Sequence, residues 1–188
     1  PSYGVLGMHG SNYILPKGRG RSPQVWTIIK GSKKYFAHII KYDSGIDSGK
    51  ILKIKSVDVT EFDTAADLQI KSQIIFNQFV YKNIRNLKKL ILKSKNQKNE
   101  RAYYFKKRSE SDGLINWNLQ VSKISNFIRA QTLPYPGAFS FIAEKKIKIW
   151  KCNVFDTCLS FKKPYGTIVD ILNSSEILVQ CKGGILRI

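Results

Sequence analysis

The sequence predicts an α/β fold followed by a small β-barrel-like module. Strand, loop and helix signals alternate through the first half and end in a long stretch of helical periodicity. After residue 102 a single helical segment gives way to five short apolar runs separated by turn residues, the pattern of a small closed or nearly closed β unit. The 188 residues, 43% of them hydrophobic, can bury a core in one or two small domains, which excludes a generally disordered chain.

Val5 to Met8 read as a short buried strand ending at His9, and Pro23 to Ile29 as a helix opened by proline in its first turn. Lys34 to Tyr42 alternates apolar and polar residues as a strand does and runs into the turn Asp43-Ser44-Gly45. Ile51 to Val59 is a second strand of this kind. Thr64-Ala65-Ala66-Asp67 has the form of a capping box, in which an acidic residue three positions after a threonine meets free amides at a helix start. Leu68, Ile70, Ile74, Ile75, Phe79, Ile84, Leu87 and Ile91 then recur at helical spacing. A long amphipathic helix from about Ala65 toward Lys93, packed by that stripe into a core, is expected.

Residues 95–101 are polar, basic and aperiodic, and form the expected linker between domains at 1–94 and 102–188. Beyond it, Val121 to Ala130 is a helix. Pro134-Tyr135-Pro136-Gly137 makes a turn, and strands are expected near Ala138 to Ile142, Lys145 to Cys152, Gly166 to Ile171, Ile177 to Cys181 and Ile185 to Ile188. No internal repeat, dinucleotide fingerprint or P-loop is present, and Gly18 with Gly20 is too sparse for a phosphate cradle.

Bulk properties narrow the class. The net charge of +19 favours polyanions, although a lysine-, isoleucine- and asparagine-rich composition accounts for much of it. Two local features survive that discount: residues 1–42 contain no Asp or Glu, and residues 82–108 carry eleven Lys or Arg against Glu100 alone. No apolar run reaches the roughly 18 residues that span a bilayer, and no signal peptide opens the chain. Cys152, Cys158 and Cys181 have no metal-ligand spacing, which points to reduced thiols in a cytoplasmic protein with no metal site and no membrane partner.

The residues that can do chemistry gather around His9. It ends a strand ahead of a glycine-bearing loop, the place where α/β sheets hold ligands. A neutral imidazole donates to a developing oxyanion or shuttles a proton near neutral pH, and a carboxylate orients it. Asp47, between Gly45 and Gly49, is the natural partner; a satisfied core histidine is the alternative. Arg19 and Arg21 have no acidic neighbour in sequence and serve either as clamps for phosphate or carboxylate or as solvated loop charges. His38 lies within a strand pattern and reads as structural, and Trp26 and Trp150 read as packing anchors.

Gly-Met-His-Gly-Ser, then Leu15 to Pro23, Trp26, Gly31 and Gly45-Ile46-Asp47-Ser48-Gly49, resembles the active-site half of the 10-formyltetrahydrofolate-dependent formyltransferases. A second block resembles the C-terminal domain of the longer members: Arg108-Ser109, Asp112-Gly113, Ile115-Asn116-Trp117, Ile128-Arg129-Ala130 and Pro134 to Phe139. The resemblance covers nearly the whole chain. It implies the C-terminal half of a Rossmann-like formyltransferase domain followed by an OB-like β-barrel, with the N-terminal Rossmann-like half supplied in cis or in trans.

The resemblance also implies a mechanism. An acceptor amine attacks the formyl carbon of the folate, a histidine and an asparagine steady the oxyanion, and an aspartate moves protons. His9 and Asp47 take the histidine and aspartate positions, with Ser44, Gly45 and Asp47 toward 10-formyltetrahydrofolate and Ser11, Arg19 and Arg21 toward the acceptor. The asparagine does not carry over, because Gly7-Met8-His9 stands where Asn-x-His is usual. Asn12, in a loop two residues longer than usual, is the expected substitute; an Asn12→Ala enzyme with unchanged turnover would dismiss it.

Two acceptors compete. Arg19-Gly20-Arg21-Ser22-Pro23 and Pro-Tyr-Pro-Gly-Ala-Phe-Ser-Phe resemble the enzymes acting on nucleotide-linked amino sugars. The basic stretch from Lys82 to Arg108 suits methionyl initiator tRNA instead. The motif outweighs the charge. A noncatalytic nucleic-acid-binding fragment is the third reading, marked by steeply salt-dependent tRNA binding without folate affinity.

Overall fold

The computed structural model describes residues 4–188. They form two compact units, one running to Thr27 and then through Ser32–Arg108, the other made of Ile28–Gly31 and Ser109–Ile188.

The first unit carries β1 (Leu6–Ser11), β2 (Lys17–Gly20), the start of α1 (Pro23–Ile29), β3 (Lys34–Lys41), β4 (Lys50–Asp58), α2 (Ala65–Asn83), α3 (Leu87–Leu92) and β5 (Tyr103–Phe105). Strands β1, β3 and β4 form an antiparallel sheet in that order, with His9 opposite His38 and Gly7 opposite Ile40. The expected strands at 34–42 and 51–59 are therefore present with ends shifted by a residue. Two strands escaped the periodicity reading, β2 and β5, which pair in parallel with each other. They are three or four residues long, too short for alternation to register. Lys95, within the polar stretch that precedes β5, exchanges both backbone hydrogen bonds with Ile51 of β4.

Helix α2 starts where the capping box placed it: the Thr64 side chain accepts from Asp67 N, and the Asp67 carboxylate accepts from Thr64 N at 2.8 Å. The expected single long helix is instead interrupted. Residues Ile84–Asn86 form a 3-10 turn between α2 and α3, and the Asn83 side chain donates to Phe79 O at 2.7 Å, competing with regular helix continuation. The core stripe also differs from the expectation. Ala65, Leu68 and Ser72 are the buried positions of α2, with Ser72 Oγ donating to Tyr35 Oη at 2.8 Å, whereas Ile70, Ile74 and Ile84 are exposed.

In the second unit α4 (Val121–Gln131) precedes the hairpin β6 (Ala138–Ile142) and β7 (Lys145–Ile149), and then β8 (Asn153–Asp156), β9 (Ile168–Asn173), β10 (Glu176–Cys181) and β11 (Gly184–Arg187). Strands β8, β11, β10 and β9 form an antiparallel sheet in that order. Val121, Ile124 and Ile128 present one face of α4 at helical spacing and close a core with Ile115, Ala138, Ile149, Cys181 and Leu186.

The closed barrel expected here is not formed among the described residues. The β6–β7 ladder ends at Ala138 opposite Ile149, Trp150 to Cys152 lie outside any strand, and no pairing joins the hairpin to the four-stranded sheet. Between them opens an apolar cleft of about 460 Å³ lined by Trp117, Phe141, Ile147, Ile168 and Ile177 among others. No helix among the described residues is long and apolar enough to cross a membrane, and no cluster of three or more His, Cys, Asp or Glu occurs there.

Candidate active site

Alternation along β1 turns Gly7, His9 and Ser11 to one face, and all three are buried. His9 is 6% exposed. Its Nε2 lies 2.7 Å from Gly18 O, and since a carbonyl only accepts, Nε2 carries the proton of that bond. Its Nδ1 faces Asp47 Oδ2 at 3.3 Å. With one proton the ring serves a single one of these oxygens; with two it serves both, and the pair becomes imidazolium and carboxylate.

Asp47 is the more accessible partner, its side chain 20% exposed. Its Oδ2 also accepts from Gly20 N at 2.9 Å. Burial by itself would raise the Asp47 carboxyl. The hydrogen bond and charge of His9, the Gly20 amide and the Arg19 charge outweigh it and hold the group below the usual carboxylate value. Asp47 has φ 52°, a left-handed conformation that aspartate tolerates better than most residues. Glycine is required nearby: a Cβ on Gly49 would stand 1.8 Å from Lys41 O.

His38 supports the site from behind. Leu15 N donates to its Nε2 at 3.1 Å, so its proton sits on Nδ1, which donates to His9 O at 3.1 Å. Burial is the main reason that its pKa falls to about 4, and the nearby His9 charge lowers it further. The imidazole is a neutral brace joining β1, β3 and the Leu15 loop.

The remaining expected residues divide. Ser11 is fully buried and its Oγ accepts from Tyr13 N at 3.1 Å. Asn12 donates from Nδ2 to Ser32 Oγ at 3.0 Å, while its buried Oδ1 has no hydrogen-bond partner. Ser44 and Gly45 lie in the exposed bend, where Asp43 Oδ1 accepts from Gly45 N at 3.1 Å and Ser48 Oγ at 2.6 Å. Arg21 is exposed. Arg19, by contrast, is 1% exposed and bonded throughout by protein oxygens: Gln97 Oε1, Asn99 Oδ1 and Tyr104 Oη.

Where an asparagine was expected, the space at Gly7 is taken by Tyr42. A Cβ on Gly7 would lie 2.0 Å from Tyr42 Cζ and 2.1 Å from its hydroxyl oxygen. Gln97, Asn99 and Tyr104 were missed in the sequence. They come from an aperiodic polar stretch and a three-residue strand, and no local spacing links them to Arg19, about eighty positions earlier.

Similarities to known proteins run along the whole chain. Residues 107–188 match the family model of the formyl transferase C-terminal domain. The whole chain is 37% identical over 195 residues to the bifunctional polymyxin resistance protein ArnA of Wigglesworthia glossinidia brevipalpis, of which it spans 28%. It is 33% identical over 188 residues to the methionyl-tRNA formyltransferase of Thermodesulfovibrio yellowstonii and spans 58% of that protein. Among solved structures, the N-formyltransferase from Helicobacter canadensis, in complex with folinic acid and dTDP-3-aminofucose, has the same fold. The likeness has a TM-score of 0.69 at 20% identity and covers 96% of this chain and 64% of that one. The α/β fold is shared with solved formyltransferase structures. Residues 107–188 belong to the formyl transferase C-terminal domain family, and the chain as a whole is similar to a methionyl-tRNA formyltransferase, of which it spans little more than half.

Proposed function

We propose that the full-length protein transfers a formyl group from 10-formyltetrahydrofolate to the primary amine of a nucleotide-linked amino sugar. The observation that carries this reading is the His9–Asp47 contact of 3.3 Å, with Gly20 N on the same carboxylate oxygen. Formyl transfer to an amine needs an acceptor for the amine proton and a donor at the carbonyl oxygen. The pair contains both, so the side chains fit a formyl donor.

The folate supplies a formyl carbon open to attack by an amine. Asp47, ionised and the more exposed of the pair, takes up the amine proton and passes it to the folate nitrogen as the formyl C–N bond breaks and tetrahydrofolate leaves, while His9 Nε2–H exchanges Gly18 O for the formyl oxygen. Asn12 is the side-chain amide nearest in sequence to this pair, with one amide proton beyond the one given to Ser32. Ser44 and Gly45, in the bend that ends at Asp47, are assigned to the folate side. On the acceptor side we assign Arg21, exposed one residue beyond Gly20, to a diphosphate. The exposed Ile70, Ile74 and Ile84 support a Rossmann-like half as the cover of α2 in the full-length protein.

An amino-sugar acceptor is supported by the Arg-Gly-Arg-Ser-Pro run at Arg19 to Pro23 and by the Helicobacter canadensis N-formyltransferase, whose structure holds dTDP-3-aminofucose. Methionyl-tRNA is favoured by one observation, the exposed Lys82, Arg85, Lys88, Lys89, Lys93, Lys95 and Lys98 along α2, α3 and the following loop. The deciding experiment incubates the full-length protein with 10-formyltetrahydrofolate and either UDP- or dTDP-amino sugars or methionyl-tRNA, reading formylated product by mass. Formylated sugar nucleotide is the expected product. Formylation of methionyl-tRNA alone would replace the acceptor, and binding of tRNA without formylation of anything would remove the enzyme reading.

A further inference from the structure

We propose that Arg19 and Gln97 form a positioning pair that sets the Asp47 carboxylate against His9, and that this, not ligand binding, is the role of Arg19. The catalytic part of the inference rests on the formyl-transfer reading above.

Gln97 lies in the segment between α3 and β5. Its Oε1 accepts from Arg19 Nε at 3.2 Å and Nη2 at 2.7 Å, and its Nε2 donates to Asp47 O at 2.9 Å and Gly49 O at 2.7 Å. Both amide protons and both carbonyl lone pairs are thus in use. Arg19 completes its set with Asn99 Oδ1 at 2.8 Å and Tyr104 Oη at 2.9 Å. A guanidinium this deeply buried is tolerated only if its donors are met, and here neutral oxygens meet them. Four of the five N–H donors are in use and the group is 1% exposed, which leaves no bidentate edge to grip a diphosphate.

The bonds close a ring. Arg19 reaches Gln97, Gln97 holds the Asp47 carbonyl, the Asp47 carboxylate accepts from Gly20 N, and Gly20 is covalently joined to Arg19. The ring fixes both the main chain and the side chain of a residue at φ 52°, a conformation that costs energy unless its surroundings impose it. The far side is equally confined, because Gly49 packs directly against Lys41 O. Losing Gln97 therefore frees the Asp47–Gly49 loop while leaving His9, Asp47 and Gly20 in place in the sequence.

Gln97→Glu separates the two halves of this role. The carboxylate still accepts from Arg19 but has no proton for Asp47 O or Gly49 O. In the full-length protein we expect a wild-type melting temperature and exchange of the Gly20 amide faster by about tenfold. The turnover number should fall by about tenfold, with the acceptor KM within about twofold of wild type. Gln97→Met, which keeps the volume and neither polar function, should show the same faster exchange. Wild-type Gly20 exchange in both variants would overturn the positioning role, as would wild-type turnover in a folded Gln97→Glu enzyme. A wild-type protein inert toward all acceptors would count against formyl transfer alone, since the exchange comparison still decides the pair.

Discussion

Asp47 Oδ2 stands 3.3 Å from His9 Nδ1 and accepts from Gly20 N at 2.9 Å, so one carboxylate oxygen ties strand β1 to strand β2. The arrangement accounts for the lowered Asp47 pKa, its partners outweighing the burial that would raise it. A depressed carboxylate contributes stability above its unfolded value of 3.8 and loses it as pH falls through the lower folded value. Urea midpoints of wild type and Asp47→Asn should therefore differ above about pH 5 and converge as pH falls below about 4. A difference that persists undiminished to about pH 2 would contradict this.

His38 acts in the opposite part of the pH range. Its pKa is about 4 in the fold against 6.5 unfolded, so below pH 6.5 the unfolded chain binds a proton that the folded one refuses. Stability should fall between about pH 6.5 and 4, by up to roughly 3 kcal/mol in total. His38→Gln should flatten that slope in a pH series of urea melts, even if it lowers stability at pH 7. A slope unchanged in the variant would place the acid sensitivity elsewhere.

Gly20 combines φ +99° with a close approach to β5, where a Cβ would stand 2.7 Å from Phe105 O. Backbone cannot swing aside as a side-chain tip can. Gly20→Ala should cost about 2 kcal/mol or more, measured by chemical denaturation, and should loosen the pairing of β2 with β5. A cost below about 0.5 kcal/mol would mean that β2 shifts freely, against the close approach of Gly20 to Phe105.

The β6–β7 hairpin turns through Ala143 and Glu144 at φ 45° and 67°, left-handed positions that a two-residue turn of this hand requires. Neither residue suits the conformation. Replacing the pair by Asn-Gly should stabilise the full-length protein by about 1 kcal/mol, read as a rise in melting temperature with unchanged turnover. A fall in melting temperature would show the turn to be of another type.

What the sequence disclosed followed the range of its signals. Thr64 and Asp67 are three residues apart, and they form the cap that their spacing implies. The strands at 34–41 and 50–58 are eight and nine residues long, enough for alternation to show. Strands β2 and β5 are too short for that. The apolar stripe of α2 was legible as periodicity, but periodicity does not say which face is covered, and Ser72 rather than Ile74 faces Tyr35. In the second unit five of the six strands were legible; the four-residue β8 was not, and neither was the pairing of the strands, because ladder pairing between distant runs leaves no trace in local pattern. The His9 and Asp47 positions were readable from motif resemblance. Gln97 was not, because its role arises from contacts 78 and 50 positions away.

The central claim is that His9 and Asp47 together carry out formyl transfer. Its most direct test is single-turnover reaction of the full-length protein with 10-formyltetrahydrofolate and an amino-sugar nucleotide, comparing wild type with His9→Asn and Asp47→Asn. Formylated amine should form with matching release of tetrahydrofolate in wild type. Each variant should slow the step by about 10²–10³-fold while still binding folate. Wild-type rates in either folded variant would contradict the assignment.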